Sequence, residues 1–248
     1  MPPTDAGTDT GTAAGPGPHL AGSAEDTLDL RLTEDLVALF GAGEPVATEA
    51  PSPGGAGESA LLDSPARWGA AGTSAGVFRL VPVRVERDLT LISRWMNDPA
   101  VAAFWELAGP EAVTAHHLRT QLRGDGRSVP CLGVLDGVPM SYWELYRADL
   151  DPLARHYPAR PHDTGLHLLI GGVADRGRGV GTTLLRAVSE LVLDHRPRCG
   201  RVVAEPDLRN TPSVAAFLSA GFRLSAELDL PGKRAALMIR ERALRDLL

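Results

Sequence analysis

Lysine is almost missing from this 248-residue sequence: Lys233 stands alone among 25 basic residues, the rest being arginine. Such a bias is read as base composition of the coding sequence and says little about function. Cysteine is also scarce. Cys131 and Cys199 alone cannot build a disulfide framework or a zinc site, so two reduced, buried thiols in a cytosolic protein are expected. No apolar run approaches ~18 residues, and the N-terminus lacks a basic-then-apolar pattern. Neither a membrane span nor a secretory signal is expected, which places the protein in the cytoplasm. Aromatics make up only 5% of the chain, and most of those that exist fall in a few short stretches treated below.

Charge is unevenly spread. Residues 1–75 hold eleven acids against Arg31 and Arg67, a net of −9, which leaves 20 acids and 23 bases, a net of +3, for the rest. That weakly basic remainder suits a small polyanionic ligand and lacks the strong basic stripe that nucleic acid demands. Residues 1–75 also hold 12 of the 27 glycines and eight of the 20 prolines, with Phe40 and Trp68 as their aromatics. Such a segment buries too little apolar surface to offset chain entropy, so 1–75 is expected to be a mostly disordered extension. Within it, Leu28, Leu32, Leu36, Leu39 and Phe40 share one helical face, which predicts a helix over 25–41, able to dock on the rest of the chain or on a partner protein.

From residue 76 the pattern becomes that of a packed domain. Alternation predicts a strand at 77–83, and helices follow at 86–98 and 113–124. The run 130–148, with Asp136-Gly137 at its centre, predicts a β-hairpin. Then come a strand at 164–172, a helix from Val180, a strand at 199–207, a helix at 211–222 closed by Gly221, and a strand pair at 223–230 and 233–243. Interleaved strands and helices imply one α/β domain over 76–248, of about 170 residues.

The stretch GGVADRGRGVGTTLLRAV, residues 171–188, sits where the strand at 164–172 meets the next helix. It is not a dinucleotide fingerprint, because counting from Gly177 puts Thr182 at the third glycine position, and it lacks the G-K-[ST] of a phosphate-binding P-loop. What remains is Arg176-x-x-Gly179-x-Gly181 at a helix start, where unpaired N–H groups and the helix dipole attract phosphate. Together with NTPSVAAFLSAGF (210–222), this turn resembles the acyl-coenzyme A site of the GNAT acyltransferase superfamily. The resemblance covers roughly residues 77–243. It implies the GNAT fold, a mixed central sheet flanked by helices whose fourth and fifth strands splay to admit the pantetheine arm. It also implies that Arg176, Gly177, Arg178, Gly179, Val180, Gly181 and Thr182 cradle the pyrophosphate. The backbone of Leu169, Ile170 and Gly171 would face the pantetheine and polarise the thioester carbonyl, with Asn210 and Phe217 completing the donor site.

Three further stretches, RWMNDPAVAAFWEL (94–107), PMSYWELYRADLDPLARHYPARPHDTGLHLLIG (139–171) and AEPDLRNT (204–211), resemble the siderophore-biosynthesis branch of that superfamily. That branch acylates N-hydroxylysine, N-hydroxydiamines or, in one mycobacterial relative, a lysine amine. The resemblance implies acyl-coenzyme A, acetyl or succinyl, as co-substrate and a small amine or hydroxylamine as acceptor, with no metal. Its two catalytic residues fall on His167, as general base, and Asp207, which would orient the imidazole or bind the substrate nitrogen. Trp95, Trp105, Trp143 and Tyr146 would wall the acceptor pocket, and Glu144, Asp149 or Asp163 would meet a cationic tail. No cysteine or serine sits in a nucleophile elbow, which favours direct transfer in a ternary complex over an acyl-enzyme. Many GNAT enzymes protonate the leaving thiolate with a tyrosine where this chain has Phe217. The leading expectation is hydroxamate formation for a siderophore, with other biosynthetic enzymes as partners of the N-terminal extension. The alternatives are acetylation of a plain amine (lysine or aminoglycoside) and a non-catalytic acyl-coenzyme A-binding module.

Overall fold

The computed structural model describes Leu62 and residues 64–247. The acidic extension and the helix expected at 25–41 lie outside those residues. The packed structure nonetheless reaches back past residue 76. Leu62 and Trp68 are buried, and the Trp68 ring stacks on that of His195 at 5.7 Å.

The first half of the sheet is an antiparallel meander of β1 (Ala70–Thr73), β2 (Gly76–Pro82), β3 (Ser128–Leu135), β4 (Val138–Arg147) and β5 (Thr164–Ile170). Asp136 and Gly137 both adopt positive φ, +46° and +84°, the backbone a two-residue hairpin turn requires between β3 and β4. The Asp136 carboxylate also accepts the Val77 N–H at 2.8 Å, tying this turn to β2. The second half comprises β6 (Arg201–Ala204), β7 (Arg223–Leu230) and β8 (Lys233–Glu241), giving the order β1-β2-β3-β4-β5-β6-β8-β7.

Helices α1 (Val85–Met96), α2 (Pro99–Trp105) and α3 (Glu111–Leu122) connect β2 to β3, and α4 (Val180–His195) and α5 (Thr211–Ser219) flank β6. The short α2 was not legible as a helix. It starts where Asp98 accepts the Ala100 N–H, with Pro99 in its first turn, and it ends at Glu106 in the left-handed conformation, φ +53°. The two sheet faces carry separate cores. On one, Phe78, Trp143, Leu145 and Leu166 pack with Leu184, Leu185 and Val188 of α4 and Phe217 of α5. On the other, Leu132, Tyr142 and Leu169 pack with Ile92, Trp95, Met96 and Leu118 of α1 and α3. Burying side chains of this size contributes about 1.5–3 kcal/mol each.

The expected splay is present, and its cause is visible. Strands β5 and β6 run parallel but pair only at Thr164–Val202 and Gly165–Val203. Beyond that point β5 stays with β4 as far as Gly171, whose N–H donates to the Met140 carbonyl. The chain after β6 instead follows β8: Ala236 N–H donates to the Pro206 carbonyl and Leu208 N–H to the Arg234 carbonyl. Each strand keeps its outer neighbour, so a gap opens between them. Counted from β2, these are the fourth and fifth strands.

Candidate active site

Two cavities occupy the gap. The larger, about 600 Å³, lies between the end of β5, the start of α4 and α5, with Ala100, Val101 and Phe104 of α2 on its rim. Gly177, Gly179, Gly181 and Thr182 line it. Gly177 and Gly179 take φ of +71° and +77°, which a side chain would disfavour, and Gly179 is the N-cap of α4. The first N–H groups of α4 therefore open onto this cavity at the positive end of a 16-residue helix. This is a ready anion site.

The arginines divide differently from expectation. Arg178 is exposed outside the cavity lining, with a 3.5 Å contact to the Ala174 carbonyl, whereas Arg176 lines the cavity itself. Arg176 is folded inward: Nε donates to the Ile170 carbonyl at 2.9 Å, Nη2 to the Gly171 carbonyl at 3.0 Å and Nη1 to Asp98 at 2.8 Å. Its charge is thus shared with Asp98, which it holds below the usual carboxylate range, and it clamps the end of β5 to the start of α2. The backbone assignment also needs correction. Because the Gly171 N–H faces β4, alternation along an antiparallel edge turns Leu169 the same way and presents Leu168 and Ile170 to the gap. Of Leu169, Ile170 and Gly171, only Ile170 offers its N–H to a ligand there.

The smaller cavity, about 450 Å³, lies beside it and shares Phe104, Trp105, Leu168, Asn210 and Ser213 as a common wall. His167 stands in it. Directly opposite residues of an antiparallel pair share a face, so His167 on β5 and Glu144 on β4 point the same way. His167 Nδ1–H donates to Glu144 Oε2 at 3.0 Å and Nε2–H to Glu205 Oε1 at 2.5 Å. Both carboxylates are supported in turn. Glu144 Oε1 accepts from His117 Nε2 at 2.6 Å, Gln121 Nε2 at 2.7 Å and the Tyr142 hydroxyl at 2.9 Å. Glu205 accepts from the Tyr146 hydroxyl at 2.7 Å, and Lys233 Nζ lies 3.6 Å from its other oxygen. Burial alone would discharge His167, but the Glu205 charge and the bonds to both glutamates reverse this and push its pKa up to about 10. Burial opposes ionisation of Glu205 too, yet His167 draws it down to about 2. The bonds from His117 and His167 likewise hold Glu144 well below the carboxylate range against its burial. At neutral pH this is an imidazolium between two carboxylates.

Several expected site residues are redistributed by that geometry. Trp105 does wall the cavity, its ring 6.1 Å from that of His167 and 5.5 Å from that of Tyr142. Trp143 does not. Period-two alternation on β4 turns it to the opposite face, where it is fully buried and donates to Ser141 Oγ. Trp95 lines neither cavity; it is buried against Gly171, where a Cβ would come within 2.0 Å of its ring. Tyr146 lies beneath His167, ring centroids 4.8 Å apart, and supports Glu205 in place of contacting the cleft. Asp207 lines the cleft, but its carboxylate is held by Arg209 at 2.7 Å, so the orienting of His167 falls to Glu144 and Glu205. Asn210 caps α5 by accepting the Ser213 N–H, and Phe217 lines the smaller cavity. Asp149 and Asp163 are taken by Arg147 and Arg201.

His117, Gln121, Glu205 and Lys233 were not singled out from the sequence. One signal existed: His117 and Gln121 are four apart on a predicted helix and so share a face. Glu205 lies in the quoted AEPDLRNT stretch, two residues before Asp207.

Residues 84–230 match a family model described as an acetyltransferase (GNAT) domain. The lysine N-acyltransferase MbtK of Mycolicibacterium paratuberculosis is 40% identical over 157 residues, 62% of this chain and 71% of that protein. The N(6)-hydroxylysine O-acetyltransferase of Escherichia coli is 37% identical over 155 residues, 62% of this chain. The chain spans about half that relative's length, 49%. A crystal structure of an uncharacterized protein from Bacillus halodurans is 32% identical with a TM-score of 0.68, covering 72% of this chain and 92% of that one. An aminoglycoside acetyltransferase, AAC(6')-Ib with coenzyme A and kanamycin, shares the fold at 24% identity and a TM-score of 0.60, covering 68% and 96%.

Proposed function

The chain belongs to the GNAT acetyltransferase family, and on that premise we propose that it transfers an acyl group from acyl-coenzyme A to the hydroxylamine nitrogen of an N-hydroxylated lysine or diamine. The product is a hydroxamate, the iron-chelating group of a siderophore. The observation that carries this reading is the shared wall of the two cavities, which brings an anion-binding helix start and the His167 network to one junction. The pyrophosphate lies at the start of α4 near Arg178, and the pantetheine arm runs along the free edge of β5 with Ile170 N–H toward the thioester carbonyl. Acetyl or succinyl is the acyl group.

The network bears on the acceptor. An imidazolium with both nitrogens bonded to carboxylates has no lone pair with which to deprotonate an alkylammonium. A hydroxylamine is far less basic than an alkyl amine, is neutral at cellular pH, and attacks without that step. As the nitrogen attacks the carbonyl carbon and the C–S bond breaks, the nitrogen loses one proton and the sulfur gains one. The imidazolium gives its proton to the departing sulfur, a task for which Phe217 has no proton, and the imidazole so left neutral takes up the one the nitrogen sheds, which restores the starting state.

The second reading is acylation of a plain lysine amine, favoured by the identity to the lysine N-acyltransferase. A thiol-release assay crossing acetyl- and succinyl-coenzyme A with N6-hydroxylysine, N-hydroxycadaverine, lysine and cadaverine separates the two. Higher kcat/KM on the hydroxylated acceptors supports the first, and preference for the plain amines replaces it with the second. We further propose cytoplasmic action; no helix among the described residues is long and apolar enough to cross a membrane. Partnership with other biosynthetic enzymes through residues 1–75 is part of the same proposal.

A further inference from the structure

Lys233 opens β8 and reaches into the acceptor cleft, which it lines with its side chain about one-third exposed. One of its three ammonium protons goes to the Glu205 main-chain carbonyl at 2.7 Å. The Glu205 carboxylate is 3.6 Å away, beyond hydrogen-bond distance, and is already bonded by His167 and Tyr146. Donors on Lys233 therefore remain for the cleft. On the cleft wall His167 is shared by Glu144 and Glu205, Asp207 is bonded by Arg209, and Lys233 is the second cation beside Glu205. Glu106 is exposed at the rim.

The residue type matters in a chain that otherwise uses arginine. A planar guanidinium at this position would lie fork to fork with the Glu205 carboxylate and spend its donors there. A compact ammonium on a flexible stem holds the main-chain carbonyl and still points protons outward. Lys233 is also one carboxylate away from His167, so whatever it binds lies within a short carbon chain of the reacting atoms.

We infer that Lys233 is the receptor for a carboxylate inside the acceptor cleft, supplied either by an amino-acid acceptor or by the far end of a dicarboxylic acyl group. This rests on the acyltransferase reading above and narrows its substrates to reagents that carry a carboxylate at one of those two positions. The acceptor source predicts N6-hydroxylysine over N-hydroxycadaverine; the donor source predicts succinyl- over acetyl-coenzyme A.

The test compares the wild-type chain with Lys233→Met, using melting temperature and coenzyme A binding as controls for the fold. Calorimetric binding of N6-hydroxylysine and N-hydroxycadaverine to the coenzyme A complex, and of succinyl- and acetyl-coenzyme A to the free protein, is measured apart from turnover. A charged hydrogen bond of this kind corresponds to about a 10- to 100-fold weaker Kd for the carboxylate-bearing reagent in the variant. The carboxylate-free partner should change less than about twofold. Loss confined to the acceptor pair, or to the donor pair, supports the inference and names the source. Equal loss on all four compounds, no loss on any, or wild-type binding indifferent to the carboxylate overturns it. Lys233-dependent binding without turnover sinks the acyltransferase reading and leaves this one; turnover with no carboxylate dependence does the reverse.

Discussion

Gly165 lies directly opposite Tyr146 in the β4–β5 register, and the tyrosine ring fills the space a side chain at 165 would need. A Cβ there would fall 2.1 Å from Tyr146 Cζ. That vacancy lets the ring lie flat across β5 and carry its hydroxyl to Glu205 beyond the neighbouring strand. Gly165→Ala should displace the ring, lower stability by about 1–3 kcal/mol as an overpacked core does, and reduce kcat. Tyr146→Phe keeps the packing and should cost about 1.5–3 kcal/mol, the loss of a hydrogen bond to a charged acceptor. Melting curves and turnover on both variants check the pair; equal stability of Gly165→Ala and wild type would refute it.

The charge on His167 has a signature in pH. Its folded pKa is raised to about 10 from the ordinary histidine value of 6.5, so the stability it contributes is complete below about 6.5 and lost as pH rises through about 10. Glu205 is depressed to about 2 from 4.5, so its contribution is complete above about 4.5 and lost as pH falls through about 2. The melting-temperature gap between wild type and His167→Gln should therefore narrow between pH 7 and 10. A gap that widens over that range contradicts the imidazolium assignment.

Glu205→Gln removes the carboxylate from one ring nitrogen while leaving a group of the same shape. The His167 pKa should fall, visible as its ring-proton NMR titration moving toward neutrality. Turnover should fall by roughly 10²–10⁴-fold if the charged pair moves protons in the reaction. Coenzyme A binding should be unchanged, because Glu205 lines only the smaller cavity.

Arg176 and Arg178 stand two residues apart and should behave differently. Arg178→Ala should weaken coenzyme A binding by a few fold, and less so at high salt, as expected for an exposed cation near a phosphate. Arg176→Ala should lower melting temperature as well, because it releases Asp98 and the Ile170 and Gly171 carbonyls. A Kd change without a stability change in Arg176→Ala would return that residue to a phosphate role.

Two tryptophans make the same contrast for the acceptor. Trp143→Ala should cost about 3–5 kcal/mol, the usual loss for a fully buried ring. Trp105→Ala, partly exposed at the wall of both cavities, should cost far less stability and instead raise the acceptor KM.

Local signals carried the order of elements and the glycine turn before α4. Alternation marked β2, Asp136-Gly137 marked the hairpin, and the glycines at 177 and 179 stood where the chain needs positive φ before α4. Those features depend on neighbours in sequence, so they are legible there. The seven-residue α2 was missed because it is too short for periodicity to register and is held by tertiary bonds at its start.

What the sequence by itself determined was the alternating α/β order, the glycine turn at a helix start and the presence of His167 between strand residues. What only the tertiary structure decided was the company His167 keeps. Glu144, Glu205 and Lys233 come from β4, the segment after β6, and β8, and they meet because β6 leaves β5 to follow β8. Sequence distance carries no record of that meeting. The protonation of the histidine, the release of Asp207 from orienting it and the turning of Trp143 into the core all follow from pairing between strands, which is long-range by nature.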